Sequence, residues 1–168
     1  AVHRRRGPDC WRFALPDAWE EYYARGSKSA RRRLRRIEEP FKSGRAVVRR
    51  VESRAALPAF QSLLVELHQR RRQQFGQAGS FASPPFAAFH REVMGGRFDA
   101  GQLVFTSVEL DGRPVVADYA LVGSDRLYAY QAGVDPDRLD DSPGHLGNYA
   151  LLREALRRQL LEAALLRG

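Results

Sequence analysis

The sequence predicts an α/β domain in which a mixed, mainly antiparallel sheet carries flanking helices. Three observations predict it. Up to about residue 100 the apolar side chains recur mostly at helical spacing, whereas from 102 to 134 they alternate with period two. Two turn signals, Asp111-Gly112 and Ser124-Asp125, divide that alternating stretch into a three-strand meander. A long amphipathic helical pattern resumes directly after it, from Asp141.

The elements follow in chain order. Residues 15–26 read as a short helix with Asp17 as N-cap after Pro16, and 27–44 as a second, started by Ser27, broken near Pro40 and stopped at Gly44. Residues 45–53 alternate as a strand. Residues 57–76 form a strong helix, with Phe60, Leu63, Leu64 and Leu67 at helical spacing. In 83–98 Ser83 is the expected cap, with Phe86, Phe89 and Val93 on one face. The meander occupies 102–110, 113–123 and 126–134. In the last helix Tyr149, Leu152, Leu156 and Leu160 share the apolar face, and Arg153, Glu154, Arg157, Arg158 and Glu162 the polar one.

A chain of 168 residues with 43% hydrophobic and 29% charged side chains is long enough for one domain with a real core. No stretch approaches the ~20 apolar residues of a membrane span. Cys10 is the single cysteine, which excludes an internal disulfide and fits a reducing cytoplasm. His3, His68, His90 and His145 are too scattered for metal-ligand spacing, so no metal is expected. His68 and His90 read as helix residues at core edges. The net charge of +8 is uneven: residues 1–54 hold 16 basic against 7 acidic side chains, and the remainder nets −1. The run RRRLRR (31–36) reads either as a solvated helix face or as a contact for nucleic acid phosphates.

The stretch DSPGHLGNYALLREALRR (141–158) is the main candidate site. A helix start carries unpaired N–H groups and partial positive charge. Gly144 and Gly147 would let a phosphate approach the backbone, with Ser142 and His145 as further donors. The plainer alternative is a Pro143 first turn whose glycines allow a bend. Position favours the cradle, because a strand end meeting a helix start is where α/β folds bind ligands. Gly133, late in YAYQAGVDP, suggests a bulge or splayed edge there.

The ordered set LPDAWEEYYARGSKSARRRLRRIEE, LLVELHQRRR, FASPPFAAFHREV, LVFTSVELDGRPVVADYAL, LYAYQAGVDPDRLDDSPGHL and LLRG resembles the CelD-like branch of the GNAT acyltransferase superfamily, from about Leu15 to Gly168. The resemblance implies a GNAT fold and N-acyl transfer from acetyl-CoA or a longer acyl-CoA. It implies that Tyr130, Gln131, Ala132 and Gly133 line the pantetheine arm. The pyrophosphate would rest on Ser142, Pro143, Gly144, His145, Leu146 and Gly147. CelD-like proteins are linked with envelope polysaccharide production, which implies an amine or amino-sugar acceptor. Relatives continue past LRG with an acidic, aromatic segment, and AALLRG lacks the usual aspartate. The expectation is a single domain over 1–168 that lacks its C-terminal strands and is part of a longer chain.

Transfer to an amine calls for a base and an oxyanion donor. Asp118 shares a strand face with Val116, Ala120 and Val122, where burial would raise its pKa. Glu109 ends the first meander strand. The plainer alternatives are an arginine partner for Asp118 and a solvated strand end for Glu109. Two rival functions remain at this point: a Fem-type transferase using aminoacyl-tRNA, and a non-catalytic scaffold or basic nucleic-acid binder.

Overall fold

The computed structural model describes residues 10–165. Six strands form one sheet: β1 (Trp11–Ala14), β2 (Ala46–Arg50), β3 (Leu103–Leu110), β4 (Arg113–Val122), β5 (Arg126–Val134) and β6 (Glu162–Leu165). Their spatial order is β1-β6-β5-β4-β3-β2. Every neighbouring pair is antiparallel except β5 and β6, which α5 (Pro143–Arg157) joins as a parallel crossover. The expected meander is therefore present. At its first turn Asp111 and Gly112 both have positive φ, 53° and 79°, as a tight hairpin requires.

Helices α3 (Leu57–Gln73) and α4 (Pro84–Asp99) cover one face of the sheet, where Leu57, Leu64, Leu67, Phe81 and Met94 pack on Phe105, Ala117 and Tyr119. Helix α5 covers the other, with Leu146, Ala150, Leu151 and Ala155 against Val104, Val108, Val116 and Ala120. Helices α1 (Trp19–Arg25) and α2 (Lys28–Lys42) lie against the outer side of α5 through Trp19 and Phe41, whose rings contact Tyr149.

Several local expectations need correction. Asp17 does not cap α1; Ala18 occupies that position and makes no side-chain bond. Ser27 does cap α2, accepting from the Ala30 N–H at 3.2 Å. Pro40 does not break α2, which runs on to Lys42. The missing N–H falls in the last turn, and the turn is tied down by Phe41 on Tyr149 and by the buried Glu38. That carboxylate accepts from Trp19 Nε1 at 2.7 Å and from Lys42 Nζ at 2.9 Å. Ser83 sits at the α4 N-cap without a capping bond. The buried side of α4 is His90, Met94 and Gly95, and Phe89 is 56% exposed.

The face of α5 also differs. Its sheet side is Leu146, Gly147, Ala150, Leu151, Glu154 and Ala155. Tyr149, Leu152 and Leu156 are half-buried toward the outer side, and Leu160 lies beyond the helix. Small residues let the helix sit close to the sheet, and Glu154 is buried because arginines surround it. Strand β1 carries no signal that the sequence reading used; it is an edge strand held by the β6 backbone.

Candidate functional site

The site is built along the edge of β5. β5 pairs with β6 over Arg126–Ala129 only, among the described residues. On its other side the β4–β5 register shifts between Tyr119 and Ala120, which face Gln131 and Ala129. Tyr130 is thus the extra residue of a β-bulge in the β4–β5 pair, which bends β5 locally. The sequence placed such an irregularity at Gly133; the structure puts it three residues earlier. Gly133 does a different job. A Cβ there would meet the His68 nitrogen and the Leu64 carbonyl at 2.7 Å each, so glycine lets α3 press onto β5.

Beyond the bulge lies a cleft of about 380 Å³. Ala129, Tyr130, Gln131 and Ala132 form its strand edge, His68 and Arg72 come from α3, and Asn148 and Leu151 from α5. One cleft is therefore lined from both faces of the sheet. Asp118 and Tyr119 on β4 complete its wall.

Three titratable groups of the cleft, Asp118, His68 and Tyr119, are desolvated. Burial pushes the Asp118 carboxyl up to about 8. Among the described residues no arginine pairs with it: no charge offsets the burial, and its Oδ2 has no hydrogen-bond partner. Its cross-strand neighbour, Thr106, also buries an unpartnered hydroxyl. Burial lowers the pKa of His68, keeping the ring neutral near pH 7. The ring lies 3.1 Å from Gln69 Oε1 through Nδ1, so the proton belongs on Nδ1 and Nε2 is left as the acceptor. Tyr119 is raised by burial and then by Tyr130, and its hydroxyl meets Nδ1 of the buried His90.

At the start of α5, Ser142 adopts left-handed φ/ψ of 55° and 50° and makes no side-chain capping bond. Pro143 has no N–H, and those of His145 and Leu146 turn back to the Ser142 carbonyl at 2.9 and 3.3 Å. The helix start therefore presents fewer unpaired N–H groups than the sequence suggests. Gly144 is exposed, and a Cβ there would meet nothing within 4 Å, so its backbone is open to a ligand. Gly147 faces the sheet instead, where a Cβ would run into the Asp118 carboxylate and, at 2.9 Å, Val116 Cγ2. Pro143 and Leu146 are buried, whereas Ser142 and His145 are exposed.

Glu109 is not brought to this place. It lines a separate cleft with Phe60 and Leu63, and Arg49 holds it at 3.1 Å. Conversely, the sequence reading did not single out His68, Arg72 or Asn148 as site residues. His68 had a readable signal: it falls at i+4 from Leu64 in the buried register of α3, an imidazole where an apolar residue is expected. Among the described residues no group of His, Cys, Asp and Glu could hold a metal ion, and no helix is long and apolar enough to cross a membrane.

A family model described as the acetyltransferase (GNAT) domain matches residues 24–168. No curated protein matches. Among solved structures, FemX aligns with a TM-score of 0.69 at 10% identity, over 92% of this chain and 52% of that one. An aminoglycoside acetyltransferase from an uncultured soil metagenomic sample, in complex with sisomicin, aligns at 0.56 and 15% identity, over 75% and 80% of the two chains. A predicted acetyltransferase with acetyl-CoA from Clostridium acetobutylicum aligns at 0.54 and 13%, over 73% and 81%. Identities this low speak to the fold alone, and the chain spans about half the length of FemX. The family model covers most of the sequence, including β2 to β6 and the crossover helix, and on that ground the chain belongs to the GNAT acetyltransferase family.

Proposed function

We propose that the chain is an N-acyltransferase domain that takes an acyl group, acetyl in the simplest case, from acyl-CoA to an amine. One observation carries the reading: the β5 edge from Ala129 to Ala132, bulged at Tyr130, borders a cleft lined from both faces of the sheet by α3 and α5. Backbone amides from Tyr130 to Gly133 would pair with the amide-bearing pantetheine arm as a further strand does. The open backbone at Gly144 would take the pyrophosphate at the α5 start.

The cleft's own residues suit the chemistry. The incoming amine must lose a proton as its nitrogen bonds to the thioester carbonyl and the CoA thiolate leaves. His68, neutral and with Nε2 free to accept, is the group we assign to that proton. Asp118 is mostly protonated near pH 7, so it places a neutral carboxyl below the first turn of α5. An ionised one there would repel the donor's phosphates. Glu109, held by Arg49, receives no role. The acceptor class we favour is an amino sugar of envelope polysaccharide. That follows from the CelD-like resemblance, and an aminoglycoside acetyltransferase shares the fold. The domain would then act as part of a longer chain.

A second reading has one specific support. The FemX alignment includes 92% of the chain, and α2 exposes Arg32, Arg33, Arg35 and Arg36, which would suit an aminoacyl-tRNA donor. Calorimetric titration with acetyl-CoA, with and without Gly144→Asp, separates the two. Binding that the variant abolishes supports the acyl-CoA reading. No binding of acetyl-CoA, together with salt-sensitive binding of aminoacyl-tRNA, overturns it.

A further inference from the structure

A second concavity borders the same turn of α5. It is a groove of about 560 Å³ between α1, α2 and α5, within the usual size of a small-molecule site. Its aromatic wall is Trp19 and Tyr22, stacked with centroids 5.1 Å apart, and Tyr149, edge-on to Trp19 at the same separation. Trp19 is fixed in place by its 2.7 Å bond to the buried Glu38. Arg31 and Arg33 form the basic side. Arg33 makes no ion pair or hydrogen bond among the described residues, and Arg31 makes only a long 3.4 Å bond to the Ala24 carbonyl. His145 and Asn148 reach the groove from the first turns of α5, and Asn148 also lines the cleft beside β5. The two concavities thus meet around one helix start. Part of the groove's wall, including Phe13, Trp19 and Tyr22, precedes residue 24, where the family match begins.

We infer that this groove holds the adenosine 3′-phosphate end of the acyl-CoA donor, an inference that rests on the acyl-CoA reading. A purine is flat and has a π-face, so it stacks on the aromatic wall at Tyr22, which Trp19 backs, with Arg153 over the far side of Trp19. A phosphate is matched by guanidinium groups that have no carboxylate to neutralise them. With the acyl end along β5 and the pyrophosphate at Gly144, Asn148 marks where the donor turns from cleft to groove. The N-terminal helices then serve as the donor's nucleotide clamp, and the arginine run of α2 has a ligand without nucleic acid.

The protein contains two tryptophans, and Trp11 lies 68% exposed on β1, so Trp11→Phe leaves Trp19 as the single reporter. Adenosine 3′,5′-diphosphate should quench Trp19 fluorescence saturably. Arg31→Ala combined with Arg33→Ala should weaken that binding at least tenfold. Acetyl-CoA should lose affinity to a similar extent in the double variant, and in the unmodified protein when its 3′-phosphate is removed. The last comparison needs no substitution, so folding defects do not confuse it. If acetyl-CoA binds but neither the variant nor loss of the 3′-phosphate changes its affinity, the groove assignment is wrong while the donor reading stands. If adenosine 3′,5′-diphosphate quenches but acetyl-CoA does not bind, the donor reading fails and takes this assignment with it. Equal affinity for adenosine 5′-monophosphate, the end of an RNA chain, would also overturn it.

Discussion

The two ends of α5 each rest on a buried carboxylate and treat it in opposite ways. At the C-terminal end Glu154 is 2% exposed and accepts from Arg50 at 3.2 Å, Arg157 at 2.7 Å and Arg158 at 2.9 Å. Burial alone would raise its pKa; the bonds and charges of Arg157 and Arg158 outweigh it and hold the group at about 2. At the N-terminal end Asp118 is 5% exposed, has no such partner among the described residues, and is pushed up to about 8. One end has its buried charge compensated and serves stability. The other keeps an uncompensated acid where the cleft and the helix start meet, which is how functional sites differ from scaffolds.

The largest effect should come from the compensated end. Glu154→Ala leaves three arginines facing a cavity without their carboxylate, and should lower stability by about 3 kcal/mol in urea denaturation. The side chain stabilises the fold fully above its ordinary value of 4.5, and this contribution fades as the pH falls from 4.5 toward about 2. Once folded, the variant should bind acetyl-CoA as the parent does. If it loses binding instead, the two ends are not separate, and the contrast drawn between them collapses.

A smaller effect is expected in the middle of the contrast. Gly147→Ala drives a Cβ into the Asp118 carboxyl and Val116, which should cost about 2 kcal/mol by overpacking and tilt the α5 start away from the cleft. Gly144→Ala, three residues earlier, meets open space and should be nearly neutral in stability. Equal gains in the two variants would mean that helix propensity, which favours alanine over glycine, and not the fit over Asp118, governs this turn.

How much of this was legible in the sequence follows from what each residue contacts. The meander was legible because alternation and the Asp111-Gly112 turn are local signals. The crossover from strand to helix was legible for the same reason. The bulge at Tyr130 was not, since it depends on the pairing of β4 with β5, and Gly133 pointed to the wrong cause for its own presence. Glu154 read as a surface residue because Arg50, which helps to bury it, lies 104 positions away in the chain. Asp118 was legible as an odd carboxylate among valines and alanines. Its lack of an arginine was not, because a sequence with this many arginines offers partners that only tertiary structure assigns or withholds.

The finest test concerns Asp118 itself. Its folded pKa of about 8 lies above the ordinary 3.8, so the fold favours the protonated form. Its contribution to stability should be greatest below about 3.8 and should decline as the pH rises toward 8, by at most about 1.4 kcal/mol per pH unit, then level off. Asp118→Asn keeps the shape and removes the ionisation, so its stability should lack that decline between pH 5 and 8. Denaturation midpoints of both proteins across this range measure the difference directly. Acetyl-CoA affinity offers the functional counterpart. The parent should bind more weakly as the pH passes 8 and the carboxyl ionises beneath the phosphates, whereas the asparagine variant should not. A parallel pH dependence in both proteins would show that Asp118 is silent in binding and that another cleft group, with His68 the first to examine, sets the profile.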